Sequence, residues 1–357
     1  QIKYTDKQLL RQVLDVWQLW MLKNIYLNHN MKFKGYLVRE KDGVFSGSIE
    51  DIDTPKLEEG RVLIKVHYSS LNYKDALAAS GAKGVASSYP FVPGIDIAGE
   101  IIESSTSDFS SGDKVVATGY KIGMSEFGGF GEIVHLPSEW VIKMPSNLDY
   151  IKSMSYGTAG ITAAACIKKI VDGGCSNKLP TLVSGSTGGV GSIAVGILAK
   201  IGYEVHAISG KSSQVDTLKM MGANEILDRT EYMSDPIKPM DKAQYSAAVD
   251  TVGGDILSKM LTMIANHGVV SCCGNVAGPK FSSSVFPFIL RGVQLCGIDS
   301  AESSLELKKE LWELLSNKWS LDLSNQTKIV KISEVGKEID KILKGDQIGR
   351  VVIKHGD

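Results

Sequence analysis

The sequence is short of cysteine, of long apolar runs and of excess charge, and each shortage excludes a class of protein. Its five cysteines are an odd number and form no Cys-x-x-Cys pair, so no disulfide framework is predicted. No apolar run approaches the ~18 residues that a membrane span needs. Because 39 basic side chains face 40 acidic ones, the net charge of −1 indicates neither nucleic acid nor a membrane surface as a partner.

A targeting signal is also missing. No charged segment followed by an apolar stretch and a small-residue cleavage site opens the chain, so we expect a cytoplasmic protein. The chain starts at Gln1, and Met31 opens MKFKGYLV, which has the pattern of a first strand. Residues 7–28 carry the apolar spacing of an amphipathic helix that must pack on something. We therefore expect residues 1–30 to be a helical extension or inter-domain linker of a longer polypeptide, with an ordinary N-terminal extension as the alternative.

The rest of the chain predicts two domains of different architecture. Its first part consists of short strands separated by Gly and Asp turns. Helices then alternate with buried strands, which is typical of a doubly wound parallel sheet. The tail at 347–354 has the pattern of one more strand, which we expect to return to the first domain. The predicted fold class is α/β, with a β-rich domain over 31–152 and 301–357 and a nucleotide-binding domain over 153–300.

A glycine-rich turn marks the nucleotide site. The apolar run at 181–183 leads into Gly185-x-x-Gly188-x-x-Gly191, and an apolar helix and a second strand follow. In such a βαβ unit the turn lets backbone N–H groups approach a pyrophosphate at the helix N-terminus. Gly188 permits the close approach, and Gly191 permits tight packing of helix on strand. The residues of this turn that we expect to contact the cofactor are Ser186, Gly188, Gly189, Val190 and Gly191.

The end of the second strand predicts which dinucleotide binds. An NAD site carries Asp or Glu there, whose carboxylate accepts a hydrogen bond from the ribose 2′-OH. This chain has Ser209-Gly210-Lys211 instead, and a hydroxyl with a lysine attracts the 2′-phosphate that a carboxylate would repel. Arg229, after the third strand, is placed to reach the same phosphate. We therefore predict NADPH as the cofactor, although Lys211 and Arg229 also fit ordinary solvated side chains.

Seven segments give the chain a family resemblance. They are SSLNYKD (69–75), PGIDIAG (93–99), GTAG (157–160), SGSTGGVG (184–191), SGK (209–211), DTVG (250–253) and PFILRGV (287–293). In this order they resemble the medium-chain dehydrogenase/reductase superfamily, and in it the branch of acrylyl-CoA reductases and quinone-oxidoreductase-like proteins. The resemblance runs from Met31 to Asp357. It implies a GroES-like β-rich catalytic domain joined to a Rossmann domain, and a homodimer through an edge strand of the Rossmann sheet, for which GVQLCGI (292–298) is the candidate.

Zinc-dependent members of the superfamily need Cys and His ligands, usually with an acidic partner. Where they carry a cysteine after the early strand, this chain has Ser70-Leu71-Asn72, and where they carry Gly-His-Glu, it has Gly94-Ile95-Asp96. No cysteine precedes Cys166, so the four-cysteine structural lobe is missing too. We therefore expect a metal-free protein that adds hydride across an activated C=C bond rather than oxidising simple alcohols.

The resemblance places Asn72, Tyr73 and Asp75 against the nicotinamide, and we predict catalytic roles for them. Charge develops on the substrate carbonyl oxygen as an enolate forms, so hydrogen-bond donors aimed at that oxygen are the main requirement. Tyr73 or Asn72 would donate to it, with Tyr73 also contacting the cofactor, while Asp75 orients its neighbours at a helix start. A turn residue at Asn72 and a core aromatic at Tyr73 are the alternatives.

Three more side chains complete the predicted site. Thr158 packs near the nicotinamide carboxamide, as the resemblance implies, or caps a helix. Asn275 follows a strand at the carboxyl edge of the sheet, where open α/β folds bind ligands, and we expect it to contact the cofactor. Phe286 lines the substrate channel or belongs to the core.

These features predict NADPH-dependent reduction of a short α,β-unsaturated acyl thioester, with hydride delivered to the β-carbon and a proton to the α-carbon. The acyl carrier is coenzyme A in the nearest family. An acyl carrier protein is the alternative, which would make the chain an enoylreductase domain of a polyketide synthase. If no acid protonates the enolate, a leaving group on the γ-carbon allows closure of a cyclopropane. Quinone reduction and NADPH binding without catalysis are the competing functions.

Overall fold

The computed structural model describes residues 32–356, and the helix predicted within residues 1–30 lies outside this range. The strands are, in chain order, β1 (Lys32–Lys41), β2 (Val44–Asp53), β3 (Arg61–Leu71), β4 (Asp96–Ser104), β5 (Lys114–Thr118), β6 (Ile133–Pro137), β7 (Val141–Lys143), β8 (Thr181–Val183), β9 (Val205–Ser209), β10 (Glu225–Asp228), β11 (Tyr245–Asp250), β12 (Ile264–Cys272), β13 (Gln294–Gly297), β14 (Thr327–Lys331) and β15 (Arg350–Lys354). The α-helices are α1 (Tyr73–Ala79), α2 (Tyr150–Asp172), α3 (Gly189–Lys200), α4 (Val215–Met220), α5 (Arg229–Tyr232), α6 (Gly254–Thr262), α7 (Phe286–Arg291), α8 (Leu305–Ser316) and α9 (Val335–Leu343). They form a β-rich domain and a domain with a parallel sheet, which confirms the predicted α/β fold class.

The β-rich domain is built on a seven-stranded sheet and a separate hairpin. In the hairpin, β1 and β2 pair antiparallel around Asp42-Gly43, whose φ angles of 54° and 78° suit the tight turn that an Asp-Gly pair favours. The larger sheet has the order β14-β15-β3-β4-β5-β7, with β6 also paired to β3. The C-terminal strand β15 lies between β14 and β3, so the end of the chain joins the same sheet as the early strands.

The second domain is a six-stranded parallel sheet in the order β10-β9-β8-β11-β12-β13. The strand order reverses between β8 and β11, which is the point where open α/β sheets bind their ligands. Both strands are buried at every residue, which explains why their apolar runs do not alternate with polar residues. The cleft for a dinucleotide therefore lies at the carboxyl ends of β8 and β11.

One hydrophobic core crosses the boundary between the two domains. Helix α2 bends at Gly157, whose φ of +50° suits glycine and where a Cβ atom would collide with Asp96. Helix α8 packs on α2, and its buried face, including Trp312, joins the core that α3 forms under the parallel sheet. The domain limit at residue 152 falls inside α2 and the limit at residue 300 falls just before α8, and both stay a prediction.

A membrane span requires a helix that is both long and apolar. Within residues 32–356, no helix is both long enough and apolar enough to cross a membrane. The cytoplasmic location stays a prediction.

Candidate active site

Asp96 is the acceptor at the centre of a buried polar cluster between the two domains. It is the first residue of β4 and has no solvent exposure. Thr158 on α2 donates to it from its backbone N–H (2.9 Å) and from its hydroxyl (2.6 Å). Ser70 Oγ, near the end of β3, donates over 2.5 Å, and Asn72 Nδ2 donates over 2.7 Å. Four donors from two segments of the chain, the end of β3 with its following loop and α2, therefore converge on one carboxylate.

Arg350 supplies the positive charge of this cluster, and the sequence reasoning missed it. Its Nη2 donates to Ser70 Oγ (2.9 Å) and lies 4.0 Å from Asp96 Oδ2. Its Nη1 donates to Asn72 Oδ1 (3.2 Å), and its Nε donates to the Ser155 carbonyl (3.1 Å). The Asn72 amide is thus held from both ends. An arginine directly before the apolar run at 351–353 was the available signal. We call Ser70, Asn72, Asp96, Thr158 and Arg350 the Asp96 cluster.

Asp75 orders the loop that carries Asn72. Its Oδ2 accepts from the Asn72 backbone N–H (2.8 Å), and its Oδ1 accepts from the Ile95 backbone N–H (2.8 Å). It is the third residue of α1, where an acidic side chain turns back to cap the helix start. Burial, together with the charge of Asp96, raises the pKa of Asp75 to about 7. At 2% exposure, with both oxygens facing backbone donors, Asp75 acts on the shape of the loop.

Tyr73 is the one predicted catalytic residue whose side chain is exposed. It is the first residue of α1, directly after Asn72, and it is 43% exposed. The hydrogen bonds that occupy Asn72 and Asp75 do not involve the Tyr73 hydroxyl. The structure therefore leaves an exposed phenol on the residue that directly follows Asn72 of the Asp96 cluster.

The glycine turn has a backbone that only glycine suits. Gly185 has a φ of +57°, and Gly188 caps α3 in an extended conformation. A Cβ atom on Gly191 would collide with the Gly185 carbonyl oxygen. A Cβ atom on Gly189 would lie 3.1 Å from Arg350 Nη1, which puts the guanidinium of the Asp96 cluster beside the turn. The turn therefore fits a pyrophosphate, with the N-terminus of α3 as its positive partner.

Two side chains of the turn face the interior of the domain. Ser186 is fully buried, and its hydroxyl donates to the Ile208 carbonyl over 2.8 Å. Val190 packs against the main core. The cofactor contacts predicted for these residues therefore fall to their backbone atoms.

A second polar group gathers at the carboxyl ends of β9 and β10. It consists of Ser209, Gly210, Lys211 and Arg229, and we call it the Lys211 cradle. Lys211 Nζ donates to the carbonyl oxygens of Gly345 (2.8 Å) and Gln347 (3.3 Å), which belong to the loop before β15. The backbone N–H of Lys211 donates to Ser209 Oγ over 3.0 Å. A Cβ atom on Gly210 would lie 3.0 Å from Arg229 Cζ, so the Arg229 guanidinium lies beside the residue between Ser209 and Lys211.

The two remaining predicted residues lie on the surface. Asn275 is exposed in the loop after β12, where its carbonyl accepts from the Gly278 N–H (2.9 Å). Phe286 begins α7 and is exposed, as are Ile289 and Leu290 one turn further on. These three side chains form an apolar face just before the edge strand β13. The ligand contacts of Asn275 and Phe286 stay predictions.

The positions compared with zinc ligands hold a different arrangement. Ser70, Asn72 and Asp96 are joined to one another and to Arg350 by hydrogen bonds. In the part of the chain that the structure describes, no three His, Cys, Asp or Glu side chains come together as a metal site would require.

Two family models match the chain in the order of its two domains. The model "Alcohol dehydrogenase GroES-like domain" matches residues 58–146, and the model "Zinc-binding dehydrogenase" matches residues 189–317. The first contains the loop of Asn72 and Tyr73, and the second contains the end of the glycine turn (189–191) and the Lys211 cradle.

Individual proteins are similar over nearly their whole length. Acrylyl-CoA reductase AcuI from Ruegeria pomeroyi is 35% identical over 88% of this chain and 96% of its own. "Putative quinone oxidoreductase YhfP" from Bacillus subtilis is 39% identical over 86% of this chain and 94% of its own. A crystal structure of B. subtilis yhfP with NAD bound has a TM-score of 0.88, at 37% identity over 91% of this chain and 100% of its own. The yhdH oxidoreductase from Salmonella enterica in complex with NADP has a TM-score of 0.87, at 34% identity over 90% of this chain and 100% of its own.

The fold and the glycine turn define a two-domain protein of the dinucleotide-dependent oxidoreductase class. The chain belongs to the medium-chain dehydrogenase/reductase superfamily, in the group that includes acrylyl-CoA reductases and quinone-oxidoreductase-like proteins.

Proposed function

We propose that this protein reduces the C=C bond of a short α,β-unsaturated acyl thioester, with coenzyme A as the carrier and NADPH as the reductant. The observation that carries the proposal is the exposed phenol of Tyr73, which directly follows Asn72 in the chain, while the donors and acceptors of Asn72 and Asp96 are already paired. The similarity to the acrylyl-CoA reductase of R. pomeroyi along almost its whole length supports the substrate class.

The Lys211 cradle supports NADPH over NADH. Ser209, Lys211 and Arg229 surround the position after β9 where an NAD site needs an acidic side chain. An ammonium group has three donors, and two of those on Lys211 meet carbonyl oxygens, which leaves one for a phosphate. The turn 188–191 would hold the pyrophosphate, and the bound cofactor would supply the hydride.

Tyr73 is the donor that we assign to the substrate carbonyl oxygen. Asn72 is the weaker candidate, because Arg350 occupies its Oδ1 and Asp96 occupies its Nδ2. A phenol aimed at the oxygen stabilises the negative charge that develops there, by about 2.7–4 kcal/mol if it matches an oxyanion-hole donor. The Asp96 cluster fixes Asn72 and thereby the place of the next residue, Tyr73.

The proton for the α-carbon comes from solvent in this proposal. Asp75 is close to Tyr73 along the chain, but its two oxygens accept from backbone N–H groups and its side chain is closed to solvent. Slow protonation favours cyclopropane closure when the γ-carbon carries a leaving group, because the α-carbon then attacks the γ-carbon. That product is one to look for with such a substrate.

A substrate panel tests the proposal. Acryloyl-CoA, crotonyl-CoA, a crotonyl-CoA with a halogen on the γ-carbon and a simple quinone are each offered with NADPH and with NADH, and products are identified by mass. We expect saturated thioesters from the first two and a higher kcat/KM with NADPH. Turnover of the quinone without turnover of either thioester would replace the proposal by quinone reduction, which the name of the B. subtilis relative favours. The same acyl groups are also offered on an acyl carrier protein. A strong preference for them would replace coenzyme A by an acyl carrier protein as the proposed carrier.

We also propose that two copies associate through β13. In the part of the chain that the structure describes, β13 pairs with β12 along one side and no strand covers its other side. The exposed apolar face of α7 lies next to it in the chain and would be covered by a second copy. Sedimentation equilibrium tests this, and a monomer at micromolar concentration would contradict it.

A further inference from the structure

A fully buried lysine, Lys308, joins the two domains near the Asp96 cluster. It lies on α8 at 1% exposure, on the same stripe as Trp312 and Leu315, where an apolar residue is expected. Its ammonium group donates to the carbonyl of Thr118 at the end of β5 (2.8 Å) and to the carbonyl of Ala301 before α8 (2.8 Å). One side chain thus binds a backbone oxygen at the end of β5 in the β-rich domain and another directly after residue 300, the predicted end of the nucleotide-binding domain.

The aromatic ring of Tyr120 completes the surroundings of this ammonium group. Lys308 Nζ lies 3.2 Å from the ring centroid, which is the geometry of a cation–π contact. The backbone N–H of Tyr120 donates to the same Ala301 carbonyl (2.8 Å). A Cβ atom on Gly119 would lie 2.9 Å from Nζ, so the turn after β5 is closed tightly around the charge.

From Thr118 a short path leads to the acceptor of the Asp96 cluster. Thr118 on β5 is the direct antiparallel partner of Asp96 on β4. Lys308 therefore holds the strand position that faces Asp96 across the sheet.

From Ala301 a second path leads to the same carboxylate. The hydroxyl of the preceding residue, Ser300, is 2.6 Å from Thr162 Oγ1, and Thr162 Oγ1 donates to the Thr158 carbonyl (2.7 Å). Thr158 in turn donates twice to Asp96. The two paths form a closed ring of contacts, in which Lys308 links β5 of the β-rich domain to residues 300 and 301, where Ser300 contacts α2 of the nucleotide-binding domain.

We propose that Lys308 is a positioning residue: it holds the two domains in the register that places Asp96, and through it Asn72 and Tyr73, for hydride transfer. The assay of this inference rests on the proposed function, although the inference itself concerns the placement of the groups.

Because Lys308 carries a charge, its proposed role can be tested by the pH dependence of kcat. Burial lowers the pKa of Lys308 to about 7, against the nearby Glu302, Asp96 and Asp299, which raise it. The other titratable group that faces it is Tyr120. The cation–π contact needs the ammonium form, so it weakens as the pH rises through about 7. We therefore expect an alkaline limb in the kcat profile that an arginine at this position, which keeps its charge, would remove.

The experiment compares Lys308→Met, Lys308→Arg and the matched control Lys309→Met, since Lys309 is the exposed neighbour on the same helix. We expect Lys308→Met to lower kcat about 10- to 100-fold, as a misplacement of about 1 Å does, with the Kd for NADPH changed less than about twofold. Lys308→Arg should recover most of kcat and lose the alkaline limb, and Lys309→Met should match the wild-type protein. An unchanged kcat in a folded Lys308→Met protein, or an alkaline limb that stays in Lys308→Arg, overturns the inference.

A second variant and a spectroscopic measurement test the role of Lys308 if the first variant or the enzyme assay fails. If Lys308→Met does not fold, Lys308→Gln, which keeps two N–H donors without the charge, takes its place with the same expected loss. If the wild-type protein reduces no enoyl thioester, the proposed function fails, and Lys308 is tested with the emission spectrum of bound NADPH. We expect a spectral shift in the Lys308 variant and none in Lys309→Met, and identical spectra would overturn the inference.

Discussion

The Asp96 cluster and the Lys211 cradle are both polar groups at the edge of the cleft, and they are built in opposite ways. Asp96 has four donors and no exposure, and Arg350 next to it is 3% exposed. Lys211 is half-buried and makes two contacts to backbone carbonyls, while Arg229 beside it is exposed. One group is saturated by the protein itself, and the other has donors to spare.

This difference indicates that the Asp96 cluster serves the reaction and that the Lys211 cradle serves the choice of cofactor. A buried cluster with every partner in place cannot rearrange cheaply, because any unpaired member would be left in a medium of low dielectric constant. An open cradle changes its partners at little cost, because water replaces what is lost. Substitutions in the cluster should therefore reduce stability and turnover together, whereas substitutions in the cradle should change cofactor preference alone.

The largest effect is expected from Asp96→Asn. The amide cannot accept from all four donors, and it leaves the buried Arg350 without its counter-charge, so the free energy of unfolding should fall by about 3–5 kcal/mol. Urea unfolding and kcat/KM measure both losses. Glu103→Gln on the same strand is the control. A stable, active Asp96→Asn protein would show that the Asp96 cluster tolerates substitution as well as the Lys211 cradle does.

Tyr73→Phe should come next. If the phenol donates to the developing oxyanion, its loss should lower kcat by the equivalent of about 2.7–4 kcal/mol and leave stability unchanged, because the side chain is exposed. Steady-state kinetics with acryloyl-CoA measure this effect, and Tyr203→Phe serves as the control. A kcat within about twofold of wild type would return the donor role to Asn72.

Lys211→Gln should have a smaller and more selective effect. Loss of one charge-assisted hydrogen bond to the 2′-phosphate should weaken NADPH by about 1.5–3 kcal/mol while the Kd for NADH stays the same. Fluorescence titration with both cofactors is the measurement, with Lys219→Gln as the control. Equal weakening of NADPH and NADH would mean that Lys211 serves the contact with Gly345 rather than the phosphate.

The last effect, which is the smallest when taken per pH unit, concerns the pH dependence of stability. The pKa of Asp75 is about 7 in the folded protein and near 3.8 when unfolded, so between these values the folded state binds more protons. The free energy of unfolding should therefore fall as the pH rises from 4 to 7, by at most about 1.4 kcal/mol per pH unit for one proton. Asp75→Asn should flatten this slope, and Asp108→Asn on the surface should keep it. The same slope in Asp75→Asn would assign it to other groups.

The α/β fold class and the chemistry of the glycine turn could be predicted because their causes are local. Gly185 and Gly191 are required by the backbone of a single turn, and the alternation of helices with buried strands repeats along the nucleotide-binding half of the chain. The absence of an acidic residue after β9 is visible in the tripeptide Ser209-Gly210-Lys211 alone. The roles of Asn72, Tyr73 and Asp75 at the nicotinamide rest on resemblance and stay predictions, although their neighbourhood in one loop was visible in the sequence.

The contacts of Arg350 and Lys308 could not be predicted in this way. Arg350 reaches Asn72 over 278 residues of chain, and Lys308 reaches Thr118 over 190. Such pairs depend on the register of β15 against β3 and on the packing of α8 across the domain boundary, which no local pattern specifies. The sequence by itself determined where the backbone turns and which charges are missing, since those are properties of a few adjacent residues. Only the tertiary structure decided which buried charges meet, because the cost of burying a charge is offset solely by partners that folding brings from elsewhere in the chain.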